Sequence, residues 1–281
     1  MMEKYIKSPL NYTGGKYKLL NQILPLFPKN INTFVDLFTG GCNVAVNVFA
    51  NKIIANDLCI QVIDIYKGIQ NNTTEKNIKM IEKIINKYNL SKENKEGYLK
   101  LRSNYNNFNK EWHVFYTLLA YSFNNQIRFN KKGQFNMPFG KRSFNSTLKQ
   151  KFKDFSNAIH NKNIKFTNEN FKDLDIDKLG ENDFVYLDPP YLVTEATYNT
   201  SWNEETEKDL LSLCDRLNEK GIKFAISNVL EHNGNKNEIL INWSKKYNVN
   251  YLNYDYSNCN YHKKDNGHKS IEVLITNYKN N

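Results

Sequence analysis

Short apolar runs that end on an acidic residue and a turn constrain this chain most. Asn32-Thr33-Phe34-Val35-Asp36-Leu37 reads as a buried strand, followed by a turn at Gly40-Gly41 and a helix from about Asn43. A short strand over 52–55 ends at Asn56-Asp57. From about 58 to 125 the pattern is helical with polar Asn/Lys faces. Residues 126–142 carry hairpin turns at Lys132-Gly133, Met137-Pro138 and Phe139-Gly140, and a helix follows over about 146–160. Strands are then expected at 164–167, 184–187, 222–227, 249–252 and 271–276. A helix over about 204–220 has Asn203 as N-cap and Gly221 as C-cap. Strands alternating with helices predict an α/β fold with a doubly wound, mostly parallel sheet. The polar middle is then an insertion between the second and third strands.

The chain has 281 residues, 40% hydrophobic and 14% aromatic, enough for one or two folded domains. No apolar run reaches the roughly 18 residues of a membrane span. The first ten residues have charges and no apolar core, so no secretion signal is expected. Cys42, Cys59, Cys214 and Cys259 are scattered, and His113, His160, His232, His262 and His268 show no ligand spacing. These residues predict free thiols, a reducing cytoplasmic setting and no metal.

Three constellations bear on chemistry. Asp36-Leu37-Phe38-Thr39-Gly40-Gly41 is a strand leading into a glycine turn, where backbone N–H groups can approach a ligand. About 20 residues after the strand acid, Asp57 stands where a carboxylate can take ribose hydroxyls. Together they indicate a nucleoside-containing ligand, with NAD and S-adenosylmethionine both open. The third is Asp188-Pro189-Pro190-Tyr191, directly after Phe184-Val185-Tyr186-Leu187. Two prolines remove two N–H donors and stiffen the turn. The Asp188 carboxylate and the neighbouring carbonyls then form a fixed set of acceptors beside an aromatic ring, which suits an exocyclic amine on a planar base.

The D-P-P-Y motif resembles that of the amino-group DNA methyltransferases. Asn11-Tyr12-Thr13-Gly14-Gly15-Lys16 looks like their N-terminal cofactor motif. The chain order of that motif, the glycine turn, a long insertion and D-P-P-Y is the alpha-group order. It resembles the Dam family of DNA adenine-N6 methyltransferases, the D12 class, and most of all the bacteriophage-type Dam enzymes. Phe34 to Phe38, Asn56-Asp57, Phe171-Lys172-Asp173, residues 184–198 and Ser227-Asn228-Val229-Leu230-Glu231-His232 share in it.

The resemblance implies a Rossmann-like, seven-stranded sheet formed by residues 1–57 and 161–281. A DNA target-recognition domain would occupy 58–160, with its hairpin at about 126–142. It implies S-adenosyl-L-methionine as cofactor, S-adenosyl-L-homocysteine as product, and no metal. Tyr12 and Lys16 would meet the methionine end. Asp36, Phe38, Gly40 and Gly41 would form the turn around the cofactor, Asp57 would hold the ribose, and Phe171 would pack near the adenine. Asp188 and the Pro189 carbonyl would bind the target amine, Pro190 would stiffen their turn, Tyr191 would stack on the base, and Tyr198 would line the site. Gly-Gly is followed by Cys42, where the family more often has glycine or a small polar residue.

The formal net charge is +10, and its distribution is uneven. Residues 126–153 contain Arg128, Lys131, Lys132, Lys141, Arg142, Lys149, Lys151 and Lys153 and no acid. Arginine occurs only at 102, 128, 142 and 216, so two of the four fall here. Lysines suit phosphates, and Arg suits bidentate reading of guanine. Phe129, Phe135, Met137, Phe139 and Phe144 are interleaved and could wedge into the space of a flipped base. The family resemblance implies double-stranded DNA as partner and GATC as the site. Its DNA-reading residues would be Ser122, Asn124, Arg128, Asn130, Pro138, Lys141 and Arg142. Two alternatives stand beside this reading: an N4-cytosine methyltransferase on the same scaffold, and a catalytically idle DNA-binding protein. A nicotinamide dehydrogenase is disfavoured by D-P-P-Y and the basic hairpin.

Overall fold

The computed structural model describes residues 5–194, 202–253 and 270–279. Its strands are β1 (Thr33–Asp36), β2 (Lys52–Asn56), β3 (Ile164–Thr167), β4 (Phe184–Leu187), β5 (Lys223–His232), β6 (Asn235–Lys236), β7 (Asn248–Leu252) and β8 (Ser270–Thr276). Its helices are α1 (Leu20–Ile23), α2 (Ile60–Gln70), α3 (Thr74–Lys87), α4 (Lys95–Asn107), α5 (Trp112–Tyr121), α6 (Ser146–His160), α7 (Glu204–Glu219) and α8 (Glu238–Ser244). They fall into two compact units. One comprises Met1–Gly15, Gly40–Asn47 and Asp57–Asn168, the other Lys16–Thr39, Val48–Asn56 and Glu169–Asn281.

The second unit is built on the sheet. β2, β1, β4 and β5 are parallel neighbours in that order, with Phe34 opposite Ile53 on one side and Phe184 on the other. β8 and then β7 continue antiparallel, and β6 folds back on β5. The mostly parallel α/β sheet expected from the sequence is therefore present. Every residue of β1 and β4 is buried, as a sheet covered on both faces requires. Alternate residues serve opposite faces. Phe34, Phe184 and Tyr186 meet Phe27, with the Phe27 and Phe184 centroids 4.8 Å apart. Val35, Val185 and Leu187 join Leu210, Leu213 and Leu217 of α7 in the other core. Asn203 caps α7, its side chain accepting the Thr206 N–H at 2.9 Å, and Glu204, Glu205 and Glu207 complement the helix dipole.

The first unit is helical apart from β3. In α5 all residues from Val114 to Tyr121 are buried, and α2, α3 and α4 pack around it. Tyr105 stacks on Phe115 with centroids 4.9 Å apart, and Phe135 meets Phe115 edge-on.

Two sequence expectations are corrected in this unit. No helix starts at Asn43; residues 43–47 make an irregular turn after Cys42, whose φ is +58°. The amides there serve the N-terminal segment. Asn43 Oδ1 takes the Ser8 N–H at 3.0 Å and Asn47 Oδ1 the Ile6 N–H at 2.7 Å, while Asn47 Nδ2 donates to Asn43 O at 2.8 Å, where a helix would place a backbone N–H. The 126–142 hairpin forms without a regular ladder, holding only the bridges Ser122↔Phe139 and Phe129↔Phe135. Its carbonyls find side chains instead. Tyr98 and Arg102 donate to Met137 O, and Asn106 donates to Phe135 O. No described helix is long and apolar enough to cross a membrane.

Candidate active site

β4 delivers Asp188 at its C-terminal end. Its opposite end is pinned to β1 through Asp183, whose Oδ1 accepts the Thr33 N–H at 2.7 Å. Asp188 is recessed, with 16% of its side chain exposed, and Lys16 Nζ lies 2.8 Å from its Oδ1. Tyr191 OH donates to the same oxygen at 3.0 Å. Neither contact falls on Oδ2. Behind them sits Glu272 of β8, 4% exposed, with Oε1 3.6 Å from Lys16 Nζ and 3.3 Å from Tyr191 OH. Burial pushes the Asp188 carboxyl above its ordinary value, and the Lys16 ammonium opposes that shift. Burial and the nearby Asp188 and Glu272 carboxylates also hold the Tyr191 phenol well above its usual range. Lys16 Nζ lies 5.0 Å from the centre of the Tyr191 ring. On β4 itself, Tyr186 OH is 2.8 Å from Ser227 Oγ, which ties β4 to β5 beneath the site.

The same unit contains an aromatic corner. Phe38 and Phe171 lie 5.7 Å apart, and Trp202 meets Phe38 edge-on at 5.8 Å. Asp36 is buried at the end of β1 and accepts the Thr39 hydroxyl at 3.0 Å.

The first unit contains the glycine turn. Gly40 has φ +45°, and a Cβ there would come within 2.9 Å of the Tyr12 ring, so only glycine lets Tyr12 lie against this backbone. Asp57 closes the turn. Its Oδ2 accepts the Gly40 N–H and its Oδ1 the Cys59 N–H, each at 2.8 Å. Burial raises the Asp57 carboxyl above its ordinary value, against both N–H donors. Tyr66 OH bonds Gly40 O at 2.6 Å.

The basic stretch also lies in this unit. Arg128, Lys141 and Arg142 are exposed, as is Pro138. Arg128 is braced by Asn136, through Nε on Oδ1 at 2.8 Å and NH2 on the backbone O at 3.1 Å. Asn130 shapes the turn, its Oδ1 accepting the N–H groups of Lys132 and Gln134. Asn124 has φ +52°, and its carbonyl takes the Asn11 amide at 2.7 Å. Gly140 packs against the Ser122 carbonyl, where a Cβ would come within 2.4 Å. Ser122 is fully buried with its hydroxyl on Leu119 O, so the expected side-chain presentation to DNA is corrected to a structural role. Two of the interleaved apolar residues are corrected likewise, while Phe129, Phe139 and Phe144 are half-buried. Phe135 and Met137 are buried in the aromatic core, while Phe123 is 50% exposed.

The family model for D12 class N6 adenine-specific DNA methyltransferase matches residues 12–266. The chain belongs to this class. It is 49% identical to the Type II methyltransferase M.FokI of Planomicrobium okeanokoites over 98% of its own length and 43% of that protein's. It is 45% identical to modification methylase StsI of Streptococcus sanguinis, over 99% of the chain and 44% of the relative. The DNA N-6-adenine-methyltransferase of Escherichia phage P1 is 29% identical, over 80% of the chain and 30% of the relative. The chain thus spans less than half the length of these relatives. The expected D12 membership holds, and M.FokI and StsI match at higher identity than the phage enzyme, against the expected likeness to bacteriophage-type enzymes above all.

Within the D12 chain, Lys16, Asp188 and Tyr191 come together as one cluster. Phe38 and Phe171 lie in contact, with ring centroids 5.7 Å apart. Tyr198 lies outside the described residues. Sequence reading did not single out Glu272, which contacts this cluster, or Trp202, which meets Phe38 and Phe171. The first lies in an ordinary strand 81 residues from Tyr191, so no local pattern marks it. Among the described residues no group of three His, Cys, Asp or Glu side chains could hold a metal.

Proposed function

We propose that this chain transfers a methyl group from S-adenosyl-L-methionine to N6 of an adenine flipped out of double-stranded DNA, with GATC as the first site to test. The observation that supports this most is Asp188, fixed through Oδ1 by Lys16 and Tyr191 with Oδ2 outside both contacts.

An adenine stacked in a duplex cannot present N6, so it must leave the stack. Asp188 Oδ2 and the Pro189 carbonyl would accept the two amine protons. Pro189 and Pro190 have no N–H to compete. Lys16 favours the ionised carboxylate against burial, so Asp188 remains an acceptor. Tyr191, tied through its hydroxyl to Asp188 and Glu272, would offer a fixed ring for stacking. Positioning and electrostatics are the main aids to such a transfer.

The residues fit an adenosyl cofactor. Gly40 and Tyr12 form a close backbone-on-ring cradle, and Phe38 and Phe171 offer aromatic faces. The cofactor, when bound, supplies a methyl group activated on a sulfonium sulfur. Tyr12, Lys16, Asp36, Phe38, Gly40, Gly41, Asp57, Phe171 and Asp188 keep their proposed cofactor roles on family resemblance. Tyr198 keeps its proposed place on family resemblance. Residues 58–160 are the proposed target-recognition domain. There Arg128 and Arg142 would read bases, and Asn124, Asn130, Pro138 and Lys141 would support them. Similarity to a modification methylase supports a restriction-modification setting.

The test is incubation with labelled S-adenosylmethionine and duplexes containing GATC or a scrambled site, followed by nucleoside analysis. N6-methyladenine confined to GATC is the expected result. N6-methyladenine at another site would overturn GATC alone. N4-methylcytosine, or no product, would overturn the whole proposal.

A further inference from the structure

Glu207 lies in the first turn of α7 and has no exposed surface. Three N–H donors converge on it. The Trp202 indole donates to Oε2 at 2.7 Å, and the Asn228 and Asn237 amides donate to Oε1 at 3.1 and 3.0 Å. The donors come from three places: the segment before α7, the strand β5, and the N-cap of α8. Asn237 also caps α8 through Leu240 N–H at 3.1 Å. Burying a carboxylate is unfavourable unless donors surround it, and an apolar side chain would pack the same space without that penalty. What the carboxylate adds is direction: it holds one edge of the Trp202 ring at a set angle.

That ring is half-buried and completes the aromatic corner. It lies 5.8 Å from Phe38 at 80° and 5.9 Å from Phe171 at 47°. Phe38 and Phe171 are themselves inclined by 39°, so the pair forms no parallel slot. A purine has a flat face and an edge to satisfy, and aromatic partners bind it best when their planes are fixed.

We infer that Trp202 is a third wall of the adenine subsite for S-adenosylmethionine, and that Glu207 is the positioning residue that sets its plane. This rests on the reading that the chain binds that cofactor at Phe38 and Phe171.

The test uses the full chain and two probes sharing the adenine end, S-adenosylhomocysteine and methylthioadenosine. The chain has three tryptophans, Trp112, Trp202 and Trp243, so intrinsic emission reports on few sites. Emission should change on adding either probe, and Trp202→Phe should remove that change. Trp202→Ala should weaken both probes by about ten-fold or more. Glu207→Gln turns an amide N–H toward converging donors. It should raise KM for S-adenosylmethionine about five-fold with kcat held within about two-fold. An emission change that survives Trp202→Phe, or unaltered probe binding by Trp202→Ala, overturns the inference and leaves the methyltransferase reading standing. Failure of the parent chain to bind either probe overturns that reading itself. If the Ala or Gln variant fails to fold by circular dichroism, the Trp202→Phe emission result decides.

Discussion

Asp188 shares its recess with Lys16, Glu272 and Tyr191. Its carboxyl is raised by burial, so it stays protonated to a higher pH than an ordinary carboxylate. A protonated carboxyl presents an O–H where an acceptor is needed. The acid limb of the kcat profile should therefore lie above the ordinary carboxylate range. Lys16→Met, which removes the opposing cation, should move that limb further up. A limb that stays put or moves down would separate Asp188 from the rate-limiting chemistry. The stability sign runs the other way. A carboxyl raised in the folded state binds its proton more tightly there, so its ionisation lowers stability as pH rises toward the folded value. Asp188→Asn should accordingly melt no lower than the parent at neutral pH while losing about a thousand-fold in kcat. Asp188 was legible in the sequence because its partners in meaning, Pro189, Pro190 and Tyr191, are its chain neighbours. Glu272, Trp202 and Glu207 were not. Their chemistry comes from neighbours supplied by other strands and helices, and nothing in their flanking residues states it.

The hairpin at 122–142 shows what an element needs beyond a turn pattern. Its base is closed by Phe123 N–H on Pro138 O and Gly140 N–H on Tyr121 O, both at 2.9 Å. Gly140→Ala would drive a methyl group into the Ser122 carbonyl and should destabilise this base by about 1–3 kcal/mol. Anisotropy titrations with duplex DNA should then show weaker binding, with circular dichroism showing intact helices. Arg142→Ala tests an exposed side chain just beyond this base. It should cost about 1–3 kcal/mol on the preferred site alone, and an equal loss on every sequence would make Arg142 a phosphate contact. Helices and strands with clear caps were legible: Asn203 marks the start of α7, and α6 occupies 146–160 as its pattern implied. The missing helix after Cys42 and the absent ladder share one cause. Polar side chains, Asn47 in one case and Tyr98, Arg102 and Asn106 in the other, donate to backbone carbonyls that regular structure would have used.

At the scale of the whole molecule the charge is polarised along the chain. Eight cations and no acid fall within 126–153, against a net +10 overall. The eight are not equivalent. Lys149 is paired with Glu82 at 2.6 Å, whereas no such pairing occurs for Lys151 or Lys153 among the described residues. Each phosphate neutralised adds about 0.9 to the slope of log K against log salt. Lys151→Gln and Lys153→Gln should each reduce that slope by about this amount, with Lys149→Gln weaker, as binding isotherms across a salt series would show. An unchanged slope would place the DNA elsewhere. The sheet has a consequence of another kind. Thr33 of β1 bonds Asp183 at the head of β4, 150 residues later. On the ribosome β1 and β2 emerge long before β4, while the helices from α2 to α6 can close local contacts at once. Phe34 and Val35 must wait through that interval without Phe184 and Val185, their neighbours on the β4 side, a period of exposure to wrong pairing. β8 comes later still. A nascent chain therefore possesses Asp188 well before the strand bearing Glu272, so the contacts of Lys16 and Tyr191 with Glu272 form only after β8 has emerged.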